Sequence, residues 1–355
     1  MKPTILVSGH LTDDILSLLA QEYDVRANRE DRPMGRADLL EAVAGADGFL
    51  SMITDAVDAE LMDAAPRLRV VSNMAVGYNN IDVAAATARG IVVTNTPGIL
   101  TEATAELAFA LILAAARRVV DLDRRTRAGE WTCWAPLLFL SREVSGKTLG
   151  VVGLGRIGRA VARRARAFGM RVLYHSRSRL EAAEERDLGV EYAEKDELLA
   201  TADFVSLHVP LSAETRHLIG RRELDLMKPT AYLINTSRGP VVDEAALVEA
   251  LKARRIEGAG STSTRASRCS PRDSRRSTTR SSFPMWGAPR SRPGRRWRAW
   301  RRRTSCPPCA ASGPRTWSTR RCGPGEGAES GSPRLRRTGP RGAQTIDCLS
   351  CAGKL

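Results

Sequence analysis

Up to about residue 260 the chain alternates short, β-branched apolar runs with stretches whose apolar positions recur at helical spacing. The runs are TILVS (Thr4–Ser8), GFLSM (Gly48–Met52), RVVSNM (Arg69–Met74) and IVVTNT (Ile91–Thr96), followed later by TLGVV (Thr148–Val152), RVLYHS (Arg171–Ser176), FVSLHV (Phe204–Val209) and AYLINTS (Ala231–Ser237). Runs that are apolar almost throughout suit strands covered on both faces, and their alternation with helical segments predicts parallel βα units. Between the two sets an Ala-rich stretch predicts one long helix from about Thr101 to Ala128, of a length that suits a connector between domains. Residues Gly129 to Gly146, with Trp131, Trp134 and Pro136, read as a loop. Beyond this alternation no repeat of about 20 to 50 residues is present.

A length of 355 residues with 43% hydrophobic content accommodates two domains. The longest nearly apolar run, Ala103–Ala116, contains Glu106 and is 14 residues long, short of the ~20 needed to cross a bilayer. MKPTILVSGH lacks the apolar stretch of a secretory signal, so the expectation is a cytoplasmic protein without disulfides. The net charge of +15 would suggest nucleic acid, but it is not spread evenly. Residues 1–260 hold 33 Lys+Arg against 36 Asp+Glu, and residues 261–355 hold 22 against 4. That last segment has no Val, Tyr, His or Asn, and six of the seven cysteines. So little aliphatic content cannot offset the entropy of ordering, and the expectation for 261–355 is a disordered tail.

Candidate chemistry begins at Gly153-Leu-Gly155-Arg156-Ile157-Gly158, directly after TLGVV and opening a helix expected over Arg156–Phe168. In that context Gly153 permits a tight turn, Gly155 lets the backbone approach a pyrophosphate, and Gly158 lets helix pack on strand. The phosphates would sit at the helix N-terminus. The following strand ends in His175-Ser176-Arg177-Ser178-Arg179, where an NAD site would carry an acid. Ser and Arg suit a 2′-phosphate, so NADPH is the expected cofactor, with NAD possible. The competing reading of this stretch is a solvated basic loop.

GLGRIG, ADFVSLHVPLSAETRHLIG (Ala202–Gly220) and MKPTAYLINTSRGPVVDE (Met227–Glu244) resemble three successive signatures of the D-isomer-specific 2-hydroxyacid dehydrogenases. NMAVGYNNID (Asn73–Asp82), LTEATAELAFAL and EWTCWAP are similar to glyoxylate and hydroxypyruvate reductases in particular. The resemblance covers residues 1–260. It implies an α/β fold of two Rossmann-like doubly wound parallel-sheet domains: a flavodoxin-like substrate domain (1–98), normally completed by the C-terminal end, and an inserted NAD(P)-binding domain (99–260). It also implies a homodimer and a small 2-oxo acid substrate. Arg238 matches the family's substrate-binding and catalytic arginine. Its planar guanidinium would grip the carboxylate and polarise the ketone. Val76 and Gly77 match the loop whose N–H groups hold the carboxylate. Gly153, Gly155, Arg156, Ile157, Gly158, Ser176, Arg177, Pro210, Thr215, Thr236 and Ser237 match cofactor contacts. Of the four histidines, His175 and His208 sit at strand ends, whereas His10 and His217 have no partner signal; none falls where the ketone would lie.

After Gly260 the resemblance stops. The family continues with a strand of the type LDVYERE and later supplies a Glu and the His that protonates the carbonyl oxygen. Here the chain reads Ser261-Thr-Ser-Thr-Arg-Ala-Ser267, and no histidine follows His217. The genetic code accounts for the break. Borrowing one base from the left turns these codons into Leu-Asp-Val-Tyr-Glu-x-Glu. At Phe283-Pro-Met285-Trp-Gly, where Met and Trp have one codon each, ATG TGG preceded by C becomes CAT GTG G, giving Leu-Pro-His-Val-Gly. The tail therefore reads as a frameshifted C-terminus, with the missing Glu and His at the positions of Ser267 and Met285. The same origin covers Cys306-Pro-Pro-Cys309 and Cys348-Leu-Ser-Cys351, whose pairs are too far apart for a zinc knuckle, and no metal site is expected. It also covers the Arg-rich run with Trp297, Trp300 and Trp317, for which no specific nucleic acid is expected. Two alternatives stay open: a catalytically inactive dinucleotide-sensing protein of dehydrogenase fold, and a nucleic-acid binder acting through the basic tail.

Overall fold

The computed structural model describes residues 1–135 and 137–262. Pro136 and the expectations for the tail, including Ser267, Met285, the cysteine pairs, the tryptophans and the disorder, lie outside the described residues. Strands β1 (Thr4–Val7), β2 (Asp24–Ala27), β3 (Gly48–Ser51), β4 (Val70–Asn73) and β5 (Val92–Thr94) form a parallel sheet in the order β2-β1-β3-β4-β5. Helices α1 (Asp13–Ala20), α2 (Arg36–Val43), α3 (Ala59–Asp63) and α4 (Val83–Ala88) connect them. A second parallel sheet, in the order β11-β10-β9-β6-β7-β8, comprises β6 (Thr148–Val152), β7 (Arg171–His175), β8 (Glu191–Tyr192), β9 (Phe204–Leu207), β10 (Tyr232–Asn235) and β11 (Gly258–Ser261). Its helices are α5 (Thr101–Ala116), α6 (Val119–Arg127), α7 (Arg156–Ala167), α8 (Ala182–Leu188), α9 (Lys195–Thr201), α10 (Arg221–Leu226) and α11 (Glu244–Lys252). The fold is thus two parallel-sheet α/β layers of the Rossmann-like kind, and the first has the flavodoxin-like order.

Every run read as a strand from its β-branched residues is a strand, with ends shifted by up to two residues. The sequence pattern passed over β11, a Gly-Ala-Gly-Ser strand, and also β2 and β8, which are short, half-polar edge strands (DVRA and EY). The last two sit at a sheet margin, where pairing on one side suffices and no apolar run is needed. The sheet also continues past Gly260, since Ser261 pairs with Asn235 in β11 and the Thr262 N–H donates to the Asn235 carbonyl at 3.2 Å.

The single helix expected over Thr101–Ala128 is two. Arg118 stands between α5 and α6 in the left-handed conformation (φ 53°). Its guanidinium donates to Asp121 (2.6 Å) and to the Leu140 carbonyl (3.1 Å), which holds the corner. Nor is α5 a bridging rod: Ala105, Ala108, Leu111, Ile112 and Ala116 are buried, and it packs on α7, β10 and β11. Its alanines are what allow this close approach, and removing the Ile112 side chain would cost about 2–5 kcal/mol. In α6, by contrast, no residue is buried.

Candidate active site

The strand order of the second sheet reverses between β6 and β9, which opens a crevice at the carboxyl ends of these strands. The loop leaving β6 lies there. Gly153 has φ +94°, and a side chain on it would put Cβ 2.7 Å from the His208 carbonyl oxygen. A Cβ on Gly158 would overlap the Gly153 carbonyl oxygen, so this glycine sets the packing of α7 on its strand. Gly155 differs: its backbone is extended and nothing lies within 4 Å of its Cβ position. Among the described residues no contact requires a glycine at 155, and a bare backbone there is what a close-approaching pyrophosphate would need.

Gly155 is also the N-cap of α7 and provides no side-chain cap. The first N–H groups of the helix, at Arg156, Ile157 and Gly158, therefore point into the crevice without an intrahelical partner, as an anion site requires. Ser176 braces this loop by accepting a hydrogen bond from the Leu154 N–H at 2.8 Å, and its hydroxyl proton has no acceptor among the described residues. The neighbouring arginines have separate fates. Arg179 pairs with Glu185 at 2.9 Å and stacks over Tyr192, while Arg177 is exposed and makes no hydrogen bond or ion pair among the described residues. Across the crevice Thr215 donates to the Pro210 carbonyl (2.6 Å) and accepts from the Ser212 N–H (2.8 Å), shaping that loop. At the end of β10, Ser237 donates to the Leu207 carbonyl (2.7 Å), and Thr236 Oγ1 is buried with no hydrogen-bond partner among the described residues. An open glycine cradle, an uncapped helix start and an orphaned buried hydroxyl together fit a dinucleotide.

Arg238 follows directly. Its Nη1 donates to the Ser237 carbonyl at 3.0 Å, and its Nε donates to Asn79 Oδ1 at 3.1 Å, a residue of the first sheet's loop 159 positions away. Burial lowers the pKa of the guanidinium, which still stays charged. A Cβ on Gly77 would collide with its Nη2, so the glycine is what lets the loop approach. The Gly77 carbonyl accepts from Asn73 Nδ2 (2.9 Å) and the Val76 carbonyl from Asn95 Nδ2 (2.8 Å). With both carbonyls held, the loop keeps its shape, and the Val76 and Gly77 N–H groups have no partner among the described residues. Of five guanidinium N–H donors two are used among the described residues and three are not. Asparagines 73, 79, 80 and 95 form this scaffold and were missed as functional positions. The available signal was Asn at strand ends beside Gly, where a side-chain amide substitutes for backbone pairing.

None of the four histidines hydrogen-bonds to Arg238 or to the 76–77 loop. His175 contacts the Ala193 carbonyl (3.2 Å), and His10 and His217 are exposed. His208 Nε2 lies 2.9 Å from the buried Ser206 hydroxyl, and desolvation pushes its pKa down to about 4. Its ring is engaged with Ser206 and makes no hydrogen bond to Arg238 or to the 76–77 loop. Among the described residues no cluster of ligands could hold a metal ion, and no helix is long and apolar enough to cross a membrane.

A doubly wound nucleotide sheet facing a second parallel sheet, with an arginine spanning both, defines a two-domain dinucleotide-dependent oxidoreductase. Comparison with known proteins makes the class specific. Residues 109–272 match the sequence model of the D-isomer specific 2-hydroxyacid dehydrogenase NAD-binding domain. The glyoxylate reductase of Thermococcus litoralis is 50% identical over 264 residues, spanning 73% of this chain and 80% of the relative. Among solved structures, a Thermus thermophilus protein is 45% identical with a TM-score of 0.70, over 76% of this chain and 84% of that one. The NADPH-dependent glyoxylate/hydroxypyruvate reductase of Sinorhizobium meliloti, solved with NADP and malonate, is 34% identical with a TM-score of 0.68, over 80% and 86%. The chain belongs to the D-isomer-specific 2-hydroxyacid dehydrogenase family and is glyoxylate reductase-like. A nicotinamide dinucleotide is the cofactor class that goes with it.

Proposed function

We propose that this chain is built to reduce a small 2-oxo acid of the glyoxylate or hydroxypyruvate type to the D-2-hydroxy acid with NADPH, as a cytoplasmic homodimer. In this reading residues 1–98 form the substrate domain and 99–260 the nucleotide domain. The observation that carries it is Arg238, desolvated, braced from both sheets and set against the free N–H groups of the Val76–Gly77 loop. The bound nicotinamide would supply the hydride. Three free guanidinium donors and two loop N–H groups hold the carboxylate and polarise the adjacent ketone, so charge growing on the carbonyl oxygen is met by groups already in place. Gly155, Arg156, Ile157 and Gly158 receive the pyrophosphate, and Ser176 and Arg177 receive the 2′-phosphate. The S. meliloti relative's use of NADPH supports that choice.

The developing alkoxide still needs a proton. The family places its acid at the position of Met285 and its orienting carboxylate at Ser267, and neither side chain can do that work. A positioned imidazole contributes about 10²- to 10⁴-fold. The chain as written should therefore reduce glyoxylate or hydroxypyruvate at least about a hundredfold more slowly than a version with the reading frame restored after Gly260. Both are assayed with NADPH at saturating oxo acid. Equal turnover would show that the acid lies elsewhere, and no turnover by the restored version with any small 2-oxo acid would end the proposal.

A further inference from the structure

Arg238 reaches across to the first sheet through one side chain, Asn79, and this contact does more than hold two halves of the molecule together. A guanidinium only donates, so the atom facing Nε is the amide oxygen of Asn79, at 3.1 Å. The second contact, from Nη1 to the Ser237 carbonyl at 3.0 Å, is to the adjacent residue and by itself leaves the guanidinium plane free to swing. Two contacts from different directions fix the plane and leave Nη2 directed at the Gly77 backbone. Asn79 is itself anchored on both sides: Asn73 holds the Gly77 carbonyl, and Asn80 Nδ2 donates to the carbonyls of Met52 (3.2 Å) and Asp55 (3.1 Å). The acceptor is neutral, so the arginine's charge is not cancelled by its own support.

We propose that Asn79 is a positioning residue for substrate, aiming the Arg238 fork at the carboxylate held by the Val76–Gly77 loop. The inference rests on the reading of Arg238 as the group that binds the 2-oxo acid. Its test uses binding, with oxalate as an unreactive carboxylate probe titrated into the NADPH complex of the full chain. Asn79→Ala should leave NADPH affinity unchanged and weaken oxalate about tenfold. Asn79→Asp, which keeps an acceptor in the same place but brings a negative charge that offsets the arginine's, should not recover that loss. In an Arg238→Ala background Asn79→Ala should have no further effect, because the two act as a unit. If Asn79→Ala leaves oxalate unchanged, or weakens it by the same factor with and without Arg238, the positioning role is overturned. If Arg238→Ala itself leaves oxalate unchanged, the functional reading fails instead, and this inference with it. Should Asn79→Ala not bind NADPH, Asn79→Ser, too short to reach Nε, carries the same expectations.

Discussion

In the first sheet the strand order reverses between β1 and β3, in the second between β6 and β9, and the crevices above these two points are built in opposite ways. Above β1 and β3 the chain fills the space itself. The Ser8 hydroxyl donates to the buried Asp55 carboxylate, which also accepts from the Met52 N–H at 2.7 Å, and the Met52 thioether lies against Gly9. Above β6 and β9 the chain leaves open space at Gly155 and an uncapped helix start. Doubly wound topology makes a crevice in both cases. Whether it binds anything depends on whether its polar groups are already satisfied from within.

The comparison can be sharpened by experiments of decreasing effect. The largest concerns the open crevice. Arg177, the one cation of the Ser176–Arg179 stretch that makes no hydrogen bond or salt bridge among the described residues, should contribute about 1.5–3 kcal/mol toward a 2′-phosphate. Arg177→Ala is thus expected to cut the preference for NADPH over NADH by roughly ten- to a hundredfold. Fluorescence titration of both reduced cofactors decides it, and an unchanged ratio would remove Arg177 from the site.

Next come two glycines three residues apart. Gly155→Ala adds a methyl group to open space, so Tm should hold while dinucleotide affinity falls about tenfold. Gly158→Ala pushes a methyl group into the Gly153 carbonyl and should cost about 1–3 kcal/mol of stability. Paired thermal melts and titrations would break the argument if Gly155→Ala lost stability and kept its cofactor.

In the filled crevice the expectation reverses. Ser8→Ala deprives the buried Asp55 carboxylate of a donor, at about 1–3 kcal/mol, and should not change NADPH affinity. A denaturant titration set beside a cofactor titration tests both halves, and a loss of NADPH affinity in this variant would mean the first crevice takes part in binding.

The effect that is smallest at neutral pH, and grows only on the acid side, is on pH dependence. His208 has its pKa lowered from 6.5 to about 4 by desolvation, so between these values the unfolded chain binds more protons than the folded one. Its contribution to stability is complete above about pH 6.5 and is lost as the pH falls toward 4. Melts across that window should show a smaller acid-side fall for His208→Gln. An identical slope would mean that another group governs the acid limb.

The residues themselves determined a good deal. Seven of the eight strands read, all but the exposed edge strand β5, were legible because strands covered on both faces must be apolar almost throughout, and Gly153, Gly155 and Gly158 were legible because turn, phosphate approach and helix packing each exclude a Cβ. The change of composition after Gly260 was legible for a different reason: six Ile, Leu, Phe and Met residues together in the last 95 are fewer than a core requires. Tertiary structure decided the rest. The corner at Arg118 depends on Asp121 and the Leu140 carbonyl, partners that helical periodicity over Thr101–Ala128 does not register. That Arg179 is tied up in an ion pair and a ring contact while Arg177 is in no salt bridge among the described residues depends on where Glu185 and Tyr192 stand. The brace from Asn79 to Arg238 joins residues 159 positions apart, and no local pattern encodes which amide will face which guanidinium once two sheets come together.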